Sequence, residues 1–479
     1  MSQFVEIENT ASQYLEFMIH GFMNGLITLQ ELEGISDEEM ETIYALGYNF
    51  FTYGKYDAAK DIFTTQGLQT TAGSNILKGY VPPYDASCVG HLRHAKNHLM
   101  GKTNLDEFAM GSSGEMSAYG VTRNPWNFDY VPGGSSSGSA AAVAACQAVM
   151  TLGTDTGGSV RQPAGFCGIV GYRPTYGMIS RYGLIAYSSS CDQAGIFARD
   201  TLDVALTMNT VSQPDERDST CQATGDIDFY TDTQRDVHWN KLRVGVIKPL
   251  MDSERIDALV LANFQASLKT MADAGAQIVE LDFPLVDYYL AAYYIIVCAE
   301  CSSNLARYDG IRYGITADDE ELLARYRSVR SRGFGAEVKR RILLGTYVLS
   351  AGYYDAYYDR ARQLRRDIRE QLESIFSQVD VLATPTSPVL PFKIGEHIED
   401  PVQMYLSDIC TVFVNLAGTG GISIPNGFGE RDGAKLPTGI QFVCAPFRDN
   451  LLLRIGHQFE KLTGWKYQPP QWVLDELNA

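Results

Sequence analysis

The chain has 479 residues, 45% apolar and 20% charged, a composition that supports a sizeable buried core and excludes a disordered chain. Its 39 Lys and Arg against 57 Asp and Glu leave a formal net charge of −18, which repels polyanions and argues against nucleic acid as a direct partner. The longest apolar stretches, around 140–145 and 288–299, fall short of the roughly 18 to 20 residues of a membrane span. The first residues, MSQFVEIENT, have neither the basic nor the apolar region of a secretory signal. Nine cysteines spread along the chain fit reduced thiols, so a cytoplasmic location without membrane contact is expected.

Residues 1 to about 63 read as helical, with an acidic first turn (Asp37, Glu38, Glu39) suited to the positive end of a helix dipole. In LGYNFFTYGKYDAAKDIF, the residues Leu46, Gly47, Phe50, Gly54, Tyr56, Ala59 and Phe63 fit the apolar and small positions of a tetratricopeptide helix pair. One such unit leaves an apolar face that must dock on something else. The wording from GISDEEM through GKYDAA resembles the helical chaperones of type III secretion translocators.

Beyond residue 64, short apolar runs alternate with helical patterns and Gly, Ser and Thr become dense, which predicts α/β architecture. His91, His94 and His98 stand at i, i+3, i+7 of a predicted helix and read as a solvated face rather than a metal site. The polar stretch 212–240 reads as a surface connection. Strands are predicted at 242–247, 379–385 and 439–443, and helices over 254–274 and 336–376. Distant parts of the chain then share one sheet in a single large domain. Cys298 and Cys301 form the one CxxC pair, inside an apolar helix-like run; with no second pair to complete a tetrahedral set, no metal site is expected.

The segment 131–177 carries the chemistry. It places two serine clusters among glycines on either side of an alanine-rich helical run, and such glycines let the backbone approach a ligand closely. In Asp155-Thr156-Gly157-Gly158-Ser159, successive N–H groups can line one concavity beside the Ser159 hydroxyl, which joins an oxyanion hole to a nucleophile. The alternative is a pair of flexible Gly/Ser loops. Gly134 to Gly138 also satisfies the G-x-S-x-G pattern, but a short turn-prone piece precedes it where a strand is needed, and neither His238 nor His457 lies in a sequence that argues for catalysis. A Walker phosphate loop is excluded by the missing lysine motif.

KTNLDEFAMGSSGEMSAYG, RNPWNFDYVPGGSSSGSAAA and GTDTGGSVRQPAGFCGIVGYRPTYGMISRYGL together resemble the amidase signature family. Within it, YYIIVCAECSSNLARYDGIRYG, EVKRRILLGTYVLSAGYYDAYY and DPVQMYLSDI are similar to the A subunits of glutamyl-tRNA(Gln) amidotransferases, with coverage from about 60 to 466. The resemblance implies an amidase domain over 60–479 with a mixed central sheet flanked by helices, preceded by a helical segment over 1–59. It implies a catalytic Lys60, a Ser135 held by a cis peptide bond and a nucleophilic Ser159, with Thr156, Gly157 and Gly158 as oxyanion donors.

Physically, a serine hydroxyl needs a base within reach, and a lysine serves only when burial lowers its pKa. Glutamine is the implied substrate, with Arg341 on its α-carboxylate, Asp408 on its α-ammonium and Tyr293 walling the pocket. The implied partners are the B and C subunits of the amidotransferase, with Glu-tRNA(Gln) reached through the complex. No cofactor is expected in this chain, and ATP and Mg²⁺ fall to the partner. Lys102 is passed over in favour of Lys60.

The family leads into its lysine through an apolar strand, whereas YGKYDAAKDIF also fits the second helix of a tetratricopeptide unit. Lys60 thus belongs to two patterns that a helix and a strand cannot share. Two other readings stay open, an amidase acting alone on another carboxamide and an inactive scaffold that binds a partner through its N-terminal helices.

Overall fold

The computed structural model describes residues 56–222, 225, 227–398 and 400–477. The chaperone-like helices expected before residue 56 lie outside the described residues. Among the described residues ten strands form one sheet: β1 (Tyr56–Lys60), β2 (His98–Thr103), β3 (Met150–Thr154), β4 (Val170–Arg173), β5 (Ala194–Ala198), β6 (Arg243–Ile247), β7 (Gln277–Leu281), β8 (Val381–Pro385), β9 (Gly421–Arg431) and β10 (Ala434–Val443). Their order is β2-β1-β3-β5-β4-β9-β10-β8-β6-β7. Pairings are parallel at both ends of the sheet and antiparallel from β3 through β8. The predicted mixed α/β class holds, and β6 and β8, far apart in sequence, lie side by side.

Residues 56–59 differ from the helical expectation, because Tyr56–Lys60 is a strand paired in parallel with both β2 and β3. Ala58 and Ala59 are buried between the two neighbours. Alanine is the best intrinsic helix former, but such propensities are worth less than about 1 kcal/mol per residue, and two ladders of hydrogen bonds outweigh them. The sheet therefore begins ahead of the division expected between 59 and 60.

The predicted histidine face also breaks up: His91 and His94 lie on the helix Ser87–His94, whereas His98 opens β2. The helical stretch expected over 336–376 is two helices, Ala336–Val348 and Arg360–Gln378, joined through the π-helical turn Tyr354–Asp359. The surface connection at 212–240 contains a short helix, Phe229–Thr233.

β3, β5 and β8 are buried along their whole length, as strands covered on both faces must be. Three helices position the site described below. Arg161–Cys167 packs against β4, β9 and β10, while Val286–Asn304 crosses Ala336–Val348, whose N-terminal Gly335 N–H donates to the Glu107 carboxylate at 2.8 Å. Among the described residues no helix is long and apolar enough to cross a membrane, and no group of three or more potential metal ligands occurs. Cys298 and Cys301 are core thiols on Val286–Asn304, and burial pushes Cys298 up to about 12.

Candidate active site

Lys60 closes β1, the strand between β2 and β3, and has no exposed surface. Its Nζ lies 2.7 Å from Ser135 Oγ and 2.9 Å from Thr154 Oγ1, at the end of β3. Burial lowers its pKa from 10.5 to about 7, against the opposing pull of Asp106, Asp155 and Asp192. Burial thus brings the neutral amine within reach near pH 7.

The Gly134–Ser135 peptide is cis. A side chain at Gly134 would run into the Asp106 carboxylate, so only glycine fits there. Asp106 is itself pushed up to about 6 by burial, partly offset by the N–H groups of Met116 and Gly114 that donate to it. Ser136 Oγ donates to Thr154 O at 3.1 Å, and Ser136 N donates to Ser159 O at 3.3 Å. These bonds stitch the first serine cluster to the second. They also occupy the hydroxyl that G-x-S-x-G would make a nucleophile.

The turn after β3 is organised by Asp155. Its carboxylate accepts from Arg161 Nε and Nη2 at 3.0 and 2.9 Å, from Asn415 Nδ2 at 2.8 Å and from Gly158 N at 2.9 Å. Burial alone would raise this carboxyl, but Arg161, Arg173 and Asn415 hold it well below the ordinary range. Gly158, at φ +133°, has the Thr411 side chain where a Cβ would stand, and the Tyr293 hydroxyl occupies the same place at Gly157. Thr411 Oγ1 donates to Gly157 O at 2.6 Å, and Thr156 Oγ1 to Asp192 Oδ1 at 2.6 Å.

Of the expected oxyanion donors, Gly158 N–H is thus already bound to Asp155. The N–H groups of Thr156, Gly157 and Ser159 carry no hydrogen bond among the described residues. Ser159 is 8% exposed.

Arg341 and Asp408, 67 positions apart and both buried, meet around one ring. Tyr294 Oη donates to Asp408 Oδ2 at 2.7 Å, and the Arg341 guanidinium stands 5.4 Å from the centre of the same ring. Arg341 Nε donates to Glu337 Oε1 at 2.7 Å and Nη1 to Tyr187 Oη at 2.6 Å. Asp408 also accepts from Ser112 Oγ at 3.0 Å, and burial pushes its carboxyl up to about 6. Such a carboxylate gains from a cationic ligand. Tyr293, the neighbour of Tyr294 on Val286–Asn304, is 3% exposed and touches the Gly157 turn.

Lys102 is paired elsewhere, with Asp61 Oδ1 at 2.8 Å, Phe63 O at 2.8 Å and Thr70 Oγ1 at 3.0 Å. No histidine hydrogen-bonds Ser135 or Ser159 among the described residues; His457 pairs loosely with Glu460 at 3.8 Å. Sequence reasoning missed Asp106, Thr154, Arg161, Asp192 and Tyr187 as parts of the site, and the organising role of the Asp155 carboxylate. Asp155 and Arg161 carried a signal, two opposite charges in a glycine-rich motif. Asp192 and Tyr187 carried none.

A buried lysine bridging to a serine, beside a second serine on a turn with unpaired N–H groups, is the equipment of a serine-dependent amide hydrolase. The chain belongs to the amidase family, whose profile matches residues 58–453. It is 49% identical over 417 residues to the glutamyl-tRNA(Gln) amidotransferase A subunit of Chloroflexus aurantiacus, covering 87% of this chain and 84% of that protein. The corresponding protein of Thermodesulfovibrio yellowstonii is 46% identical, covering 93% and 90%. The crystal structure of the glutamyl-tRNA(Gln) amidotransferase A subunit from Thermotoga maritima superposes with a TM-score of 0.73 at 39% identity, covering 95% of this chain and 94% of that one. The peptide amidase of Stenotrophomonas maltophilia gives a TM-score of 0.70 at 28% identity, covering 87% and 83%.

Proposed function

We propose that this chain hydrolyses the side-chain amide of glutamine and acts as the ammonia-producing A subunit of a glutamyl-tRNA(Gln) amidotransferase. The observation that carries the reading is the pairing of a buried Lys60–Ser135 contact with a cation, Arg341, and an anion, Asp408, gathered around one tyrosine ring. Free glutamine carries one charge of each sign at fixed separation. It needs such a pair of opposite charges.

In this reading a neutral Lys60 keeps one N–H on Thr154 and accepts the Ser135 proton with its lone pair, while Ser135 takes the proton of Ser159. Ser159 Oγ bonds to the amide carbon, and the carbonyl pair moves onto oxygen, met by the N–H groups of Thr156, Gly157 and Ser159. Collapse breaks the C–N bond as Lys60 returns the proton through Ser135, and ammonia leaves. Water then adds to the glutamyl ester by the same relay, releasing glutamate and restoring the Ser159 hydroxyl.

Arg341 binds the α-carboxylate, Asp408 the α-ammonium, and Tyr293 closes the wall beside Gly157. Ammonia passes to the B and C subunits, where ATP and Mg²⁺ activate Glu-tRNA(Gln) for conversion to Gln-tRNA(Gln) in the cytoplasm. The acidic net charge of this chain favours tRNA contact by those partners.

The test is ammonia release from glutamine by the purified chain, alone and with its partner subunits. The reading expects turnover that Ser159→Ala abolishes. Turnover of a neutral carboxamide with none of glutamine contradicts it.

A further inference from the structure

The Arg341 guanidinium and the oxyanion turn are gripped by opposite ends of one short segment, 187–192. At one end Tyr187, 1% exposed, accepts from Arg341 Nη1 through its hydroxyl at 2.6 Å. At the other, the buried Asp192 accepts from Thr156 Oγ1 at 2.6 Å. The segment is closed on itself: Asp192 also accepts from the N–H groups of Tyr187 at 2.9 Å and Ser188 at 3.0 Å, and its own N–H donates to Ser188 O at 2.8 Å. The next residue holds the same turn a second time, through Asp155 N donating to Gln193 O at 2.8 Å.

Its outer side is pinned to two helices. Glu300 accepts from Ser188 Oγ and Ser190 N at 2.7 and 2.9 Å, and Arg365 Nη2 donates to Ser190 O at 2.7 Å. A turn with this many bonds moves as one piece, so its two grips fix a distance.

Resting on the glutamine reading above, we infer that Tyr187 and Asp192 set the separation between the α-carboxylate site and the oxyanion turn, and so select ω-amides by chain length. Both are positioning residues, since neither touches the reacting atoms. Glutamine and asparagine differ by one methylene, a C–C bond of about 1.5 Å. With the carboxylate held on Arg341, the shorter amide stops short of Ser159, and attack needs a contact of about 3 to 3.5 Å. Discrimination by one methylene is worth about 10- to 200-fold. A displacement of about 1 Å at the reacting atoms costs on the order of 100-fold in rate.

The experiment measures kcat and KM for glutamine and for asparagine in the wild type, Tyr187→Phe and Asp192→Asn. Tyr187→Phe keeps the ring and removes only the grip on Arg341, while Asp192→Asn keeps the side-chain shape and removes the charge that holds Thr156. The wild type should favour glutamine by about 10- to 200-fold. Each variant should narrow the ratio of the two kcat/KM values by roughly tenfold, chiefly by lowering kcat on glutamine. Both substrates are read on the same sample, so a misfolded fraction cancels from the ratio. Equal losses on both amides, leaving the ratio within about twofold of wild type, overturn the inference and leave the glutamine reading intact. Wild-type protein that releases ammonia from neither amide overturns both.

Discussion

Lys60 and Ser135 stand 75 positions apart in the chain and 2.7 Å apart in space, with Lys60 fully buried. That contact requires β1 to be a strand, because only a chain running beside β3 carries the lysine to the level of Thr154 and the serine clusters.

The burial of Lys60 predicts a pH profile. Its pKa is lowered from 10.5 to about 7 and the neutral amine is the form that the proposed relay uses, so kcat/KM for glutamine should rise with pH through about 7 and level off above. Between about 7 and 10.5 the unfolded chain binds the proton that the folded chain does not. This group then makes stability rise with pH across that window, by about 1.4 kcal/mol per unit at most. A kcat/KM titration and a set of thermal melts at pH 6 to 9 check the two directions separately.

Lys60→Ala should lower kcat by about 10²- to 10⁴-fold, the usual weight of general acid–base catalysis. Lys60→Arg should be as inactive, because a guanidinium does not deprotonate. By contrast Lys102→Met removes a buried partner of Asp61 and should cost about 3 to 5 kcal/mol of stability. Activity per folded molecule should stay near wild type, and steady-state rates normalised to the folded fraction separate the two lysines.

Part of this site is legible in the sequence, and the division has a physical basis. The Gly/Ser text of 131–177 announces itself because close backbone approach demands those residue types locally. The strand character of Tyr56–Lys60 does not, because YDAAK becomes a strand only through β2 and β3, which arrive later in the chain. Tyr187 and Asp192 are likewise ordinary residues until Arg341 and Thr156 meet them. The availability of N–H groups could not be read either: Gly158 looks like its neighbours, and only the folded position of Asp155 shows that its N–H is taken.

Arg341→Ala should separate substrate binding from chemistry. Loss of the α-carboxylate partner should lower kcat/KM for glutamine by about 100-fold or more, in line with about 3 kcal/mol for a desolvated charge pair. Ser135 and Ser159 are untouched, so turnover of a small neutral amide should fall far less. Removal of the guanidinium also takes one partner from the buried Glu337, which keeps Arg340 and the Tyr405 hydroxyl, and a lower melting temperature is expected. Parallel assays of glutamine and the neutral amide on one preparation decide the matter, since a purely structural defect lowers both alike.

Gly158→Ala should disable the turn that carries Ser159. The residue sits at φ +133°, and an added Cβ meets the Thr411 side chain. The backbone strain alone is worth about 1 to 3 kcal/mol, and displacement of the neighbouring nucleophile should lower kcat by about 100-fold or more. Steady-state kinetics alongside a thermal melt should show a large fall in kcat with a modest fall in stability.

The most direct measurement of the central claim, that Ser159 is a nucleophile activated by Lys60 through Ser135, is covalent labelling. Wild type, Lys60→Ala and Ser159→Ala proteins are treated with a serine-directed fluorophosphonate, and the modified residue is mapped by mass spectrometry. The account predicts label on Ser159 alone in the wild type and none in either variant. Label on another serine, or undiminished label on Ser159 without Lys60, would contradict it.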